Sequence, residues 1–414
     1  MGTMYCSLPI SLTNLTLEMD HIPSPTYFQP LTQLVDLKLM KFRKSDPSLY
    51  LDSLTALKSL KYYFYVVPID PSMIRLPPNL LEYTHIHQPI SSLKTEFFPP
   101  TLTSLDMTFS DIDYTNVSLK TRLKHLKFLT IHTNSDLPME FIPDSVKTLK
   151  IYSINGQNLI KGMIPDRVES LSLENIKTRF QHLPNSIKKL VLKDDPNVIL
   201  YDNNPITLPN NLQEFSLIPG PYQNVFPHDI EFIYPPTLKV LEYGRVFFTA
   251  AIKPFIKQPI PSSVNEFKYI ASTWTSTFNN AIVHSIVEDE GFIFPSTITK
   301  LPVKIQPGTA FEFLIFRMDY LINQTNIDQL IIDYTASHFQ IDIRRLDQEN
   351  NNVLIVGKSL FGGIIHQQQI DQQELLQGLD INSHHRQQIY LYFEPSMSHC
   401  SIPTLKFNLP SPPP

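Results

Sequence analysis

Apolar and polar positions along the chain fall into a ten-residue frame that returns about every 22 residues: apolar, Pro, x, Ser/Asn/Thr, apolar, x, x, Leu, x, apolar. The first copy reads Leu8-Pro9-Ile10-Ser11-Leu12 and closes with Leu15 and Leu17. Ile142-Pro143-Asp144-Ser145-Val146 closes with Leu149 and Ile151, and Leu183-Pro184-Asn185-Ser186-Ile187 closes with Leu190 and Leu192. Further copies centre on Pro77, Pro99, Pro165, Pro209, Pro235, Pro261 and Pro295, while Leu31, Leu54 and Lys120 hold the proline's place in three others. The intervals run 22, 23, 23, 22, 21, 23, 22, 19, 25, 26, 26 and 34 residues. A joint match at several positions over thirteen copies is the signature of a repeat architecture.

The spacing predicts the elements. The closing Leu-x-apolar alternates with period two, as a short strand with one buried face must. Proline cannot donate to a ladder, so it belongs in the turn before the strand, where it also extends the residue preceding it. The Ser, Asn or Thr two positions later can satisfy turn backbone with its side chain. A single unit cannot bury its leucines, but stacked units can, each adding a strand about 4.8 Å from the last. The expected fold is therefore a mainly β repeat solenoid over residues 1–303, with one short parallel strand per repeat. A small α+β module at 304–407 would cap its end, and the proline-rich 408–414 would be a disordered tail. The competing reading is an ordinary sandwich with Leu-rich strands, which would lack the sustained period.

The Leu-Pro-x-Ser-Leu-x-x-Leu-x-Leu frame at this spacing resembles the FNIP repeat, a variant of the leucine-rich repeat, over roughly residues 8–303. The sequence departs from that family between copies, where a Phe-Asn dipeptide belongs and only Phe28-Gln29-Pro30 and Phe278-Asn279-Asn280 come near it. The resemblance implies a leucine-rich-repeat-like solenoid, an architecture used for protein–protein recognition. Family members often carry F-box-like or kinase domains beside the repeats. The kinase signatures His-Arg-Asp and Asp-Phe-Gly do not occur in this chain.

After Val303 the frame stops. Phe339 to Arg344 alternates as a half-buried strand, a turn-like Asp347–Asn352 leads into the apolar Val353 to Val356, and Ile389 to Phe393 reads as another strand. Apolar Ile370, Leu375, Leu376 and Leu379 suit a helix over Gln369–Leu379. Residues 304–407 hold seven basic and eleven acidic side chains.

Composition narrows the chemistry. With 34 Lys+Arg against 39 Asp+Glu, a net charge of −5 and 42% hydrophobic residues, the chain is too apolar for disorder. It is also too weakly charged to bind nucleic acid through a basic surface. Its 36 prolines against 11 glycines argue against folds that cradle phosphates on glycine turns. Val356-Gly357-Lys358-Ser359 ends like a phosphate loop, but Asn352 stands where the first glycine is needed. Cys6 and Cys400 make neither a disulfide framework nor a four-thiolate metal site. His366, His384, His385 and His399 lack the His-Glu-x-x-His spacing, and there is no Gly-x-Ser-x-Gly elbow. Met1 to Asp20 shows no basic region followed by a sustained apolar run, and no stretch is long enough to span a bilayer as a helix. The expectation is an intracellular, cytoplasmic protein without cofactor, metal or catalytic residues, bound to neither membrane nor nucleic acid.

A partner would meet the strand residues between the two inward positions, expected at Thr16, Lys38, Lys61, Thr84, Asp106, Lys127, Lys150 and their successors. Lys124, Lys127, Lys147 and Lys150 fall on two successive copies as a candidate basic patch, and Glu214, Glu242 and Glu266 mark an acidic end. These residues either grip a protein partner on a concave β face or form an ordinary solvated face. The insertion Ala271–Phe294, with Trp274, is either a binding loop or a loop folded back over the spine. The expected function is a non-enzymatic protein–protein interaction scaffold. The alternatives are a substrate-recognition adaptor for ubiquitin transfer, suggested by the family's companions, and an enzyme with its active site in the C-terminal module.

Overall fold

The protein is described from a computed structural model covering residues 8–18, 24–42, 48–64, 71–86, 93–109, 114, 117–193, 205–218, 231–247, 260–273, 283–285, 294–305, 313–334, 337–357, 362–367, 390–394 and 404–408. The chain divides into two compact units, residues 1–190 with 198–201 and residues 191–197 with 202–414.

In the first unit, strands Asn14–Glu18, Asp36–Phe42, Ser59–Phe64, Glu82–Ile86, Ser104–Thr108, Phe128–Thr133, Thr148–Leu159 and Ser170–Thr178 form one ladder. Each pairs in parallel with the next, giving a β-solenoid of about 8 turns. The register stacks Leu15, Leu37, Leu60, Tyr83, Leu105, Leu129, Leu149 and Leu171 in one row. Leu17, Leu39, Tyr62, His85, Met107, Ile131, Ile151 and Leu173 form a second. Burial needs a neighbour on each side. Leu34, Leu37 and Leu39 of the second coil are buried, whereas Leu12, Leu15 and Leu17 of the first are only half-buried. His85 is wholly buried; its Nδ1 lies 3.4 Å from the Tyr83 hydroxyl and its ring 5.5 Å from that of Tyr62.

A turn hydrogen bond sets the corner of each of the thirteen copies of the frame. The N–H three residues after the proline position donates to that position's carbonyl, from Leu12 to Pro9 (3.2 Å) through Val146 to Pro143 (3.1 Å) to Ile298 and Pro295 (3.0 Å). Leu31 and Leu54 make the same bond without proline, with Leu34 and Leu57 at 3.0 Å. The sixth copy corrects the sequence frame. Its turn bond joins Leu126 to Leu123 (3.2 Å), so the proline position is Leu123 and not Lys120. Lys120 lies instead in a helical turn, Leu119–Arg122, which takes up the three residues of difference. Leu129 and Ile131 consequently point inward, and Phe128, assigned inward by alternation alone, is 54% exposed.

A second regularity joins coil to coil. One carbonyl accepts two successive N–H groups of the following turn: Thr103 O takes Lys127 (2.8 Å) and Phe128 (3.1 Å), and Lys127 O takes Lys147 (2.9 Å) and Thr148 (3.0 Å). A carbonyl oxygen has two lone pairs, so no donor is lost where turn becomes strand. The Ser/Thr/Asn of the frame also acts between coils rather than within its own turn. Thr101 Oγ1 donates to Pro78 O (3.0 Å) and Leu80 O (2.7 Å), and Thr237 Oγ1 to Asn210 O (2.9 Å) and Leu212 O (2.8 Å). Ser186 Oγ donates to Val168 O (2.7 Å). Thr101→Val keeps the shape and removes the donor. It is expected to cost about 1 kcal/mol in urea unfolding, in line with one net hydrogen bond.

In the second unit, strands Glu214–Ile218, Val240–Phe247, Glu266–Thr273, Lys300–Ile305 and Gln329–Tyr334 pair in parallel in that order. The parallel ladder thus runs one strand past Val303, where the sequence frame ends. Ile327, Leu330 and Ile332 fill its inward positions, all fully buried, and Asp328 and Gln329 share Thr299 O at 2.8 and 3.1 Å. Antiparallel strands Ser337–Arg345, Asn352–Gly357 and Gly362–His366 follow. Asp347 closes the turn expected there, accepting the N–H groups of Asn351 (2.8 Å) and Asn352 (2.7 Å). The strand expected at Ile389 to Phe393 is Tyr390–Glu394, paired with Phe313–Arg317 and Thr404–Asn408. Asn408, expected in the tail, ends the strand Thr404–Asn408, and Gln369–Leu379, Trp274 and residues 409–414 lie outside the described residues.

Candidate functional site

The corner of the first unit's coils carries a cluster of cations, Lys124, Lys127 and Lys147. Lys58, Leu81, Thr103, Lys127 and Lys147 follow one another across successive coils, each N–H after the first donating to the carbonyl of the residue named before it at 2.8–2.9 Å. With Thr101, Lys124, His125 and Ser145, the last four line a shallow depression of about 430 Å³. Its cations differ in what they already hold. Lys147 Nζ lies 3.2 Å from Glu169, which Lys188 also approaches at 2.8 Å. The hydrogen bonds from Lys188 and Lys147 hold the Glu169 carboxyl below its ordinary value. Lys120, just outside, is 3.3 Å from Asp144. Among the described residues, Lys124 and Lys127 have no carboxylate partner, and both are exposed. Exposed pairs contribute little to stability, so free lysines there are an electrostatic feature rather than a structural one.

The structure therefore brings three of the four candidate lysines together and sets the fourth apart. Lys127 belongs to the turn row and not to the outward strand row, a direct consequence of the shifted sixth copy. Thr130 takes the strand position, in register between Asp106 and Lys150. Lys150 stands on the strand face near a different group. There His132 Nε2 lies 3.1 Å from Asp106 Oδ1, and its ring stacks on Tyr152 at 4.7 Å with planes 7° apart. Burial, then the nearby Glu174 and Asp106 charges, push the Tyr152 hydroxyl's pKa up. Sequence reasoning missed this Asp106–His132–Tyr152 group. The +9 position that holds His132 and Tyr152 lies beyond the ten-residue frame, and the shifted copy hid the alignment of His132 with Tyr152.

The three acidic candidates belong to the second unit and do not converge on one point. Glu214 and Glu266 share a row with Val240 between them, and Glu242 sits two positions further along. Ser216 Oγ donates to Glu242 at 2.6 Å, and Lys268 neutralises Glu266 at 2.9 Å. Among the described residues, no group of three His, Cys, Asp or Glu side chains is placed to hold a metal ion, and no helix is long and apolar enough to cross a membrane.

The FNIP repeat family model matches residues 134–175, which contain the Thr148–Leu159 strand and most of its neighbour Ser170–Thr178. This is an FNIP repeat-containing protein. The matched FNIP stretch includes Ser145 and Lys147 of the depression, and Lys150 and Tyr152 of the strand face. Of the four residues with positive φ in it, Gly156 at 71° and Asn175 at 54° lie where the two strands change register. Asn tolerates that left-handed backbone, and its Nδ2 donates to Ser153 O at 3.0 Å, tying the irregularity to the preceding coil. A search of the curated proteins found no match to the chain.

Proposed function

We propose that this FNIP repeat-containing protein is a non-enzymatic scaffold that binds a protein partner on the repeats of its first unit. The observation that carries the reading is the depression over coils four to seven, where Lys124 and Lys127 stand exposed without carboxylate partners. A solenoid presents a regular surface whose rows repeat from coil to coil, so a partner is recognised where one row departs from the ordinary polar pattern. Charge of one sign in such a place steers an oppositely charged partner and fixes its register. With Cys6 and Cys400 as its two cysteines, too few for a disulfide framework, the chain suits an intracellular setting.

The test is affinity purification from cells of tagged wild-type chain and of the double variant Lys124→Glu with Lys127→Glu, with mass spectrometric identification. Both side chains are exposed, so the variant is expected to keep its circular dichroism spectrum and melting temperature. At least one partner retained by wild type and by the arginine pair K124R/K127R is expected to be lost from the glutamate pair. An identical set of partners from all three chains would refute the reading.

A further inference from the structure

Resting on that reading, we infer that the depression accepts a short extended segment of a protein partner that combines acidic side chains with one large apolar residue. One exposed apolar side chain in the lining, and a second that lies next to the lining in the chain, set this site apart from a plain basic patch. Leu81, 37% exposed, forms one end of the lining, and Phe128, 54% exposed, follows Lys127 in the chain. Phe128 occupies a strand row whose register neighbours are Ser104 and Thr148, and beyond them Glu82 and Ser170, so it is the one aromatic ring in that polar run. Burying an exposed ring of this size against a partner yields more than any rim charge, and aromatic anchors beside cations are what concentrate binding energy at interfaces.

The dimensions fix the kind of occupant. From Leu81 to Lys147 the row crosses three inter-strand steps, about 14 Å at the usual spacing. An extended peptide of about five residues covers that length. Charge complementarity decides its sign: Lys124, Lys127 and Lys147 line the depression, and Glu169, the nearest carboxylate in the turn row, is already shared by Lys147 and Lys188. An acidic segment would meet Lys124 and Lys127 without displacing any existing pair. Its apolar residue would pack against Phe128.

The experiment uses the full chain and a fluorescein-labelled peptide of four glutamates around one tryptophan, followed by anisotropy. Two control peptides replace the tryptophan by alanine or the glutamates by glutamine. Binding of the first peptide is expected to exceed that of either control by about tenfold. Phe128→Ala should weaken it by a similar factor, since a few anchor rings carry most of the binding energy of an interface. K124E/K127E should abolish it, and added salt should weaken it. Equal binding of the alanine peptide, or an unchanged F128A, would overturn the apolar anchor. No binding of either glutamate peptide would overturn the inference as a whole. If the cellular partner is nevertheless lost from K124E/K127E, the scaffold reading survives that failure. If the partner set is unchanged, the scaffold reading itself falls.

Discussion

Leu129→Ala is expected to lower the unfolding free energy of the first unit by about 2–5 kcal/mol, while the neighbouring Phe128→Ala should change it by less than about 0.5 kcal/mol. The contrast is sharp because apolar alternation read from the sequence assigns the inward position to Phe128 and not to Leu129. In the structure Leu129 is buried at 2% exposure between Leu105 and Leu149, its register partners on either side. Truncating it removes methyl and methylene groups from a stack whose neighbours are held by their own backbone ladders. They cannot close over the gap, so a cavity cost adds to the lost transfer energy. Phe128, 54% exposed, has no such surroundings. Urea unfolding of both variants, followed by far-ultraviolet circular dichroism, measures the difference. Equal destabilisation by the two substitutions, or a larger effect for F128A, would mean that the strand sits in the other register.

The reason that copy misleads is physical. Where proline marks the corner, the turn is fixed in the sequence, and the strands after Pro77, Pro99, Pro143 and Pro165 lie where the frame puts them. The sixth copy has no proline, and Leu123, Leu126, Phe128, Leu129 and Ile131 offer two apolar alternations three residues apart. The helical turn Leu119–Arg122 settles which is used: Arg122 Nε donates to Phe98 O at 2.9 Å, anchoring the turn to the coil before it. Local pattern could not show this, because the deciding contact spans 24 residues. The strand at Gln329–Tyr334 was hidden for the same reason, since Gln324 stands at the corner position and the interval from Pro295 is longer than any earlier one except that from Pro261. At the candidate site, the clustering of lysines was legible from residue types and spacing. Which of them face one depression depended on register. Lys127 and Lys147 align because the copy is shifted, and Lys150 leaves the group for the same reason.

Arg345→Met is expected to destabilise the second unit by about 3 kcal/mol and to free the amides of residues 318–334 for faster hydrogen exchange. Its guanidinium donates to four backbone carbonyls: Nε to Ile322 (3.0 Å), Nη1 to Ile327 (3.2 Å), and Nη2 to Leu321 (3.0 Å) and Thr325 (2.8 Å). Leu321 and Ile322 belong to the last turn of helix Met318–Gln324, whose carbonyls have no partner inside the helix and carry its negative dipole end. A fixed positive charge satisfies them and leads the chain directly into the strand Gln329–Tyr334. Burial lowers the guanidinium's pKa, opposed by the Asp328 charge, and the group stays protonated at any pH of interest. The sequence holds a trace of this role. Phe339, Ile341, Ile343 and Arg345 alternate on one side of the strand, so the arginine falls where an apolar residue is due. Methionine fills similar space without a donor and leaves the carbonyls to compete for fewer partners. Arg345→Lys is the informative companion. It restores the charge but not the planar fork, and one ammonium cannot reach four acceptors spread over seven residues. If the lysine variant recovers full stability, charge at the helix end is sufficient and the multidentate cap is not what holds these elements together. If both variants lose stability and exchange protection together over residues 318–334, the fork is the joint between helix and ladder.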